Sequence, residues 1–583
     1  MKNKIFAACL LITLSGCIKD VLDRKPLNII TDDDVWESKE LVDIYLANLY
    51  DAIPIGFLNR VDQSNFTDES SFMDGTYVSG YGNQWLSLNT GMYEWIRNVN
   101  YFLGRIGTSS LSEEDIRTLS AEGHFIRAYY YFDLVRKYGG MPLIKTVQNF
   151  DNNLEDIQIP RSKEEEVWEF IASELDSAIL DLPETQEAAG ANRPTKYTAL
   201  ALKSRAMLYA GSIAKYGQVQ LGGILGIPSD KAESYFTASL DASQKIIDSK
   251  HFSLYTKQYD PATHAGDPVA NYQNIFLDEN NSEIIFQKAY SFPDKAHSYD
   301  NWNIPEGFTT NNGSSIAPTL EMVESYEYID GSPGDLKTDK EYDSPTGIFE
   351  GKDPRFEASV LHGGSPTGWG RDVQIYRGIY AGGKLYESLS PFPEEPSRRQ
   401  VGLDGPFSSG NFGKTGFYIK KYMNIANRVV EPGYSDQNYI DIRYAEILLN
   451  AAEAAVELGR DKTGALDAIN QIRGRAGIKL LTAGELTLDK IRHERKIELA
   501  FEDKRFWDIR RWRLGTNLFR NTYVHGLWPY LNYENGKYTY TYKVVNGYPI
   551  DDGYPRIFEQ RDYYSNLSAY VNSNPKIVNN PGW

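Results

Sequence analysis

Cysteine is nearly absent from this chain. The only two in 583 residues, Cys9 and Cys17, sit so close to the start that no disulfide framework can brace the body. Histidine is scarce as well. The seven present are scattered from His124 to His525, with no His-Glu-x-x-His or similar spacing to hold zinc. Gly-x-Ser-x-Gly elbows, phosphate-binding loops and dinucleotide fingerprints are missing, and the Gly-rich stretches lack the strand-turn-helix context those motifs need. The expectation is a protein with neither metal nor cofactor. No Lys/Arg stripe interleaved with aromatics offsets the formal charge of −18, which repels phosphate backbones and argues against nucleic acid as a partner. No apolar run reaches the roughly 20 residues that a membrane-spanning helix needs.

What is present points to a folded body. Hydrophobic residues make up 41% and charged residues 24%, within the globular range and unlike a disordered chain. Aromatics reach 13%, with 41 Tyr and 10 Trp, and such rigid amphipathic rings suit both cores and the gripping of amphipathic ligands such as sugars. At the N-terminus, Lys2 and Lys4 precede a short apolar stretch, Ile5 to Leu14, which ends in Leu14-Ser15-Gly16-Cys17. A basic start, a short apolar core and small residues before a thiol read as a lipoprotein signal over residues 1–16, with Cys17 as the acylated residue. Cys9 leaves with the signal, so Cys17 is the one cysteine of the expected mature chain. Acyl chains add about 0.8 kcal/mol per buried methylene, so more than one chain anchors durably. Residues 17–30, polar and containing Pro26, read as the tether, and 31–583 as a single body.

Periodicity makes that body mainly α. Phe125, Ala128, Tyr129, Phe132 and Val135 recur at spacings of three and four between Ser120 and Tyr138, and Gly139-Gly140-Met141-Pro142 stops the helix. Further helices are expected over Lys163 to Leu182, Lys196 to Tyr216 and Lys231 to Ser249. The theme returns with Ile442, Ala445, Leu448, Leu449 and Ala452 before Gly459, then Ala465, Ala468, Ile469 and Ile472 before Gly477. Helices that come in pairs with Ala at their contacts resemble tetratricopeptide units of about 34 residues. The expected architecture is a helix-pair scaffold over 31–255 and 435–515, a loop-rich, partly β insertion over 256–434, and an irregular C-terminal segment over 516–583. Loops on a rigid scaffold are where binding sites concentrate.

Several motifs in order resemble the SusD/RagB family across nearly the whole chain. Leu22-Asp23 and Pro26 follow the lipidated cysteine. Ala121-Glu122-Gly123-His124-Phe125-Ile126-Arg127-Ala128-Tyr129-Tyr130-Tyr131-Phe132-Asp133-Leu134-Val135 runs on to Tyr138-Gly139-Gly140-Met141-Pro142. Ile440-Asp441-Ile442-Arg443-Tyr444-Ala445-Glu446, Ile491-Arg492-His493-Glu494-Arg495 and Arg505-Phe506-Trp507-Asp508 come later, and Asn580-Pro581-Gly582-Trp583 closes the sequence. Gly123-His124 departs from the family's usual Ala or Arg beside the aromatic run, a matter of packing. Glu494, Arg495, Glu498, Glu502 and Arg505 could tempt a catalytic reading, but acids and bases at helical spacing make a salt-bridged face more often than a proton-transfer site.

The resemblance implies a non-catalytic, surface-exposed outer-membrane lipoprotein that captures oligosaccharides for a SusC-like TonB-dependent transporter. It also implies a site built from an N-terminal loop and the insertion. The N-terminal candidates are Asp68, Tyr81 and Trp85, with Tyr77 and Asn83 around them. The insertion supplies Tyr299, Trp302, Trp369, Arg371 and Tyr376, each a ring or charge in loop-like sequence. Trp95, Trp168, Trp507 and Trp512 lie in periodic helices and are assigned to packing. A peptide-capturing relative and a surface glycoside hydrolase are the alternatives. The first would use main-chain edges and charged end-pockets, and the second needs two carboxylates about 5 to 10 Å apart, which 79 Asp and Glu could supply.

Overall fold

The computed structural model describes residues 31–73, 91–150, 153–186, 192–279, 281–309, 313–406, 412–425 and 431–583. Its scaffold begins with α1 (Lys39–Asp51), α2 (Met92–Ile106), α3 (Glu113–Tyr138), α4 (Glu164–Asp181), α5 (Lys196–Tyr216) and α6 (Ala232–Ser249). It resumes with α7 (Tyr444–Glu457), α8 (Lys462–Ala476), α9 (Leu488–Glu498) and α10 (Arg505–Arg511). Neighbours in sequence pack as pairs, α3 on α4, α5 on α6 and α7 on α8, and α6 carries the contact across to α7. This is the mainly α helix-pair architecture that the periodicity predicts.

Helix α3 is the central rod. Ser112 caps it by accepting the Asp115 amide, Glu113, Glu114 and Asp115 meet the positive end of its dipole, and Arg136 and Lys137 meet the negative end. Its consecutive tyrosines are all buried, so each hydroxyl needs a partner inside the protein. Tyr129 donates to Asp441 at 2.8 Å, Tyr130 to the Leu49 carbonyl at 2.5 Å and Tyr131 to the Ile144 carbonyl at 3.1 Å. Three neighbours on one helix thus tie it to three different parts of the chain.

The insertion is held to the scaffold by short strands. β1 (Ser70–Phe72) pairs antiparallel with β3 (Ile316–Pro318), and β2 (Ile284–Lys288) with β6 (Tyr439–Arg443) just ahead of α7. The C-terminal segment is less irregular than expected. Residues His525–Glu534 (β7) and Lys537–Asn546 (β8), ten residues each, form a hairpin closed by Asn535 and Gly536, both at positive φ. β7 also pairs in parallel with β4 (Ile379–Ala381), which pairs with β5 (Lys384–Tyr386), so the hairpin extends the insertion.

The acids and bases of α9 form a network that is buried, not a solvated face. Glu498 accepts from Arg443 at 2.6 Å, from Arg355 at 3.0 Å and from Arg475. Arg443 also binds Glu283 at 2.6 Å and Glu502 at 2.8 Å, while Arg355 binds Glu494 at 2.6 Å and Asp353 at 2.7 Å. Burial alone would raise the Glu498 carboxyl's pKa, but Arg475, Arg443 and Arg355 outweigh it and hold the group ionised well below the usual carboxylate range. Removing one member leaves uncompensated charge without water. Glu498→Gln is therefore expected to lower unfolding free energy by about 3–5 kcal/mol. Lys39→Ala, which removes the exposed Lys39–Asp43 pair at 2.8 Å, should change it by less than about 0.5 kcal/mol. Urea titration of both variants checks this, and equal, small losses would refute the structural weight placed on Glu498.

Candidate functional site

The sequence-nominated residues separate into three groups. Cys17, Tyr81 and Trp85 lie outside the described residues, as do Tyr77 and Asn83. A second group is occupied with packing. Asp68 accepts from Arg505 at 2.8 Å and Lys496 at 2.9 Å, which hold its carboxylate ionised against the cost of burial, so it serves as an internal ion-pair anchor and not as an open ligand contact. Tyr299 is 5% exposed, packs on Phe57 at 4.5 Å and donates to the Lys421 carbonyl at 3.1 Å. Tyr376 is 4% exposed and donates to the Arg399 carbonyl at 2.9 Å. Both were expected as loop rings facing ligand. Instead, Tyr299 fills a large apolar cluster that the insertion shares with Ile440, Ile497 and Phe501, and Tyr376 a small one completed by Leu531.

The third group, Trp302, Trp369 and Arg371, remains accessible. Trp369 is half-buried over Leu361, Val373, Ile375 and Tyr418, and its ring meets Phe308 edge-on at 5.3 Å and 60°. Arg371 lays its guanidinium 3.7 Å from the centre of the Phe308 ring. The side chain is fixed by Asp404, which accepts Nη1 at 2.5 Å and Nη2 at 2.9 Å, and by the carbonyls of Gly307 and Asp372, each at 3.1 Å. Asp404 is fully buried and also accepts the Gln374 amide at 2.8 Å. The Arg371 fork is therefore saturated, and what it contributes is a flat face and a fixed position. A side chain on Gly307 would run into Asp404 and the Leu403 carbonyl at 2.2 and 2.4 Å, so only glycine lets this turn close on them.

Trp302 sits on a short helix, Tyr299–Asn303, in the same connection, six residues before Phe308. It is half-buried, and its indole N–H has no acceptor among the described residues. Its carbonyl accepts the Ser315 amide at 3.0 Å, one residue before the strand that pairs with Phe72. The N-terminal segment and the insertion thus meet beside Trp302: Arg60 donates to the Ser315 hydroxyl at 3.1 Å, and Asn65 to the Ser315 carbonyl at 3.4 Å. Glu306, on the turn that carries Phe308, keeps Oε2 buried with no hydrogen-bond partner among the described residues. Burial raises its pKa, offset in part by Arg60 and Lys414. Phe308, Glu306 and Asp404 were missed by the sequence reading, which favoured Trp, Tyr and Arg. Gly307, between two of them, was the available clue to a close approach.

The helix pairs thus carry a ring platform on the loop-rich insertion. The family model described as "SusD family" matches residues 282–583, and one described as "Starch-binding associating with outer membrane" matches residues 20–208. The chain belongs to the SusD/RagB family, whose theme is carbohydrate binding at the outer membrane. Among curated relatives, a SusD-like protein P2 of Formosa agariphila is 24% identical over 91% of this chain and 94% of its own length. A SusD-like protein of Bacteroides ovatus is 24% identical over 88% and 83%. A solved SusD-like protein of Bacteroides fragilis superposes with a TM-score of 0.71 at 27% identity, covering 96% of this chain and all of its own. A SusD-like carbohydrate binding protein of the same species shares the fold with a TM-score of 0.69 at 21% identity, over 93% of this chain and 100% of its own. No helix among the described residues is long and apolar enough to cross a membrane.

Next to Asp68, Glu69 is 1% exposed and accepts the Phe501 amide at 3.2 Å. Burial first, and the Asp68 charge second, push its carboxyl from an ordinary 4.5 up to about 8. The folded state then binds the proton more tightly than the unfolded chain, so the stability Glu69 contributes is fully present below 4.5 and is lost as pH rises towards 8. Unfolding free energies measured at about pH 5 and about pH 8.5 should fall more steeply for the parent than for Glu69→Gln. Identical slopes would remove Glu69 as the titrating group.

Proposed function

We propose that this protein captures oligosaccharides at the cell surface, held to the outer membrane by lipid on Cys17, and delivers them without catalysis to a SusC-like TonB-dependent transporter. The observation that carries the reading is the Phe308–Trp369–Arg371 platform, with the accessible Trp302 on the connection that leads to Phe308. Sugar rings have an apolar face that stacks on aromatic rings and a rim of hydroxyls that needs polar partners. Here the half-buried rings supply the apolar part, and the partly exposed Glu306, two residues before Phe308, supplies a polar group beside it. Since Arg371 is neutralised by Asp404 and the whole chain carries −18, a neutral glycan suits the platform better than a polyanion. Family membership supports the same reading, as do the solved B. fragilis carbohydrate binding protein and a surface glycan-binding protein A of Bacteroides uniformis, which shares the fold with a TM-score of 0.61. Trp85, Tyr81 and the Cys17 anchor enter the proposal from the family resemblance.

Capture for hand-over calls for modest affinity, because affinity differences reside mostly in dissociation rate and a very tight site would release too slowly. Isothermal titration of the protein against a panel of neutral and acidic oligosaccharides tests the proposal. Trp369→Ala should weaken binding to the preferred neutral glycan by tenfold or more, a loss of about 1.4 kcal/mol. Leu180→Ala, at a side chain 82% exposed on α4, should leave binding unchanged. Hydrolysis products in the cell, or binding to peptides and to no glycan, would overturn the reading.

A further inference from the structure

We propose that a second, separate cavity of this protein is a sugar subsite that holds one neutral pyranose ring. It lies between the loop that follows α5, the residue after α10's last turn and the C-terminal segment, and it has a volume of about 260 Å³. Its lining shares no residue with the Trp369 platform, and it stands on its own apolar cluster of Leu225, Ile509, Phe558, Tyr563 and Tyr564. Drug-sized ligands occupy pockets of about 300 Å³ and more, so this space suits a single ring and not a chain.

The lining is chemically selective. Gln218, Gln220 and Gln560 all reach the cavity, and their amides have no hydrogen-bond partner among the described residues. An amide offers two N–H donors and a carbonyl acceptor side by side, the complement of neighbouring hydroxyls that can each donate and accept. The one cation at the back of the cavity is already answered. Arg513 lies over the rings of Tyr563 and Tyr564, 4.6 and 4.9 Å from their centres, and donates to the Tyr564 hydroxyl at 2.7 Å. That hydroxyl donates in turn to the buried Glu164 at 2.8 Å. Arg561 at the rim pairs with Glu559 at 2.8 Å. With both guanidiniums compensated and three amides free, the cavity favours a neutral, hydroxyl-rich ligand over an anion.

The walls are also fixed in advance. Glu164 Oε2, which takes the Tyr564 hydroxyl, accepts the Gly226 amide at 2.6 Å as well, so one buried carboxylate joins the loop to the C-terminal wall. Gln220 and Leu225 pair backbone to backbone across that loop, and Gly222, Gly223 and Gly226 take its positive φ angles. A ligand entering here orders only the glutamine side chains at the rim.

The inference shares with the proposed function only the ligand class, and the two can fail separately. Saturation-transfer NMR on the full chain, in a detergent without a sugar headgroup, would use the methyl pyranosides of glucose, galactose, mannose, xylose and N-acetylglucosamine as probes. At least one should receive saturation, the signal should fall at least fivefold in the double variant Gln220→Ala, Gln560→Ala, and it should persist in Trp369→Ala. Gln560 is exposed and Gln220 partly exposed, and neither side chain has a partner among the described residues, so the double variant is expected to unfold at the parent's urea midpoint. No saturation of any pyranoside, or equal saturation in the double variant, overturns the subsite whether or not oligosaccharides bind at the platform. A pyranoside signal that follows the glutamines in a protein that binds no oligosaccharide supports the subsite and sinks the platform instead.

Discussion

A carboxylate stripped of water must be answered by cations, and Glu498 is answered by three arginines from distant parts of the sequence. Arg355 belongs to the insertion, Arg443 ends the strand that leads into α7, and Arg475 lies in the last turn of α8. Any other docking of the insertion on the scaffold would strand at least one of these charges, at a cost of several kcal/mol per ion. The network is therefore best understood as a register lock. Apolar packing would tolerate small slips between these elements, but a guanidinium fork that has to meet Glu494, Glu498 and Asp353 together does not.

The lock lies close to the ring platform along the chain. Arg355 sits in a short helix, Pro354–Ser359, that runs directly into Val360 and Leu361. Leu361 pairs with Tyr418 and lies beneath Trp369, and the Tyr418 hydroxyl donates to the Asp404 carbonyl at 2.6 Å. Asp404 in turn fixes Arg371 over Phe308. A handful of contacts thus carries position from the buried charges to the exposed rings. The same logic explains why a site built in loops can be rigid: each loop residue that faces outward rests on one that is tied to the core.

What was legible in the sequence follows from what periodicity and charge encode. The helix over Lys196–Tyr216 was read with the boundaries observed, because Thr195 caps it and Gly217 ends it. α3 was read from Ser120 and begins at Glu113, since its first turn, Glu113-Glu114-Asp115, is acidic and only Ile116 and Leu119 carry the apolar spacing back beyond Ser120. The hairpin over His525–Asn546 was overlooked although Asn535-Gly536 is followed, after Lys537, by alternating Tyr and Thr, a turn signature that called for two strands. Of the residues nominated by type, Trp369 and Arg371 stay accessible, while Tyr299 and Tyr376 are buried and Asp68 is taken up in ion pairs. Loop-like sequence says that a backbone is irregular but not which side chains it turns inward, and an insertion packed into apolar clusters buries many of its rings. The reading of α9 as a salt-bridged face was sound in kind, but the arginines come from three other elements and close over the acids, a tertiary fact with no local signature.

The rigidity of the platform bears on how it can bind. Trp369 and Arg371 are already in one arrangement before any ligand arrives, so little side-chain ordering opposes association. The accessible rings are few, however, and both terminal nitrogens of Arg371 are already engaged, which leaves little for a strong charge-assisted bond. For the proposed capture role, low ordering cost with few contacts would give quick capture and quick release. A surface meant to hold its ligand would be built the other way, with deep enclosure and unsatisfied charged groups. The distribution of charge in this protein points the same way: its strongest electrostatics are spent inside, around Glu498, where they fix geometry and never meet a ligand.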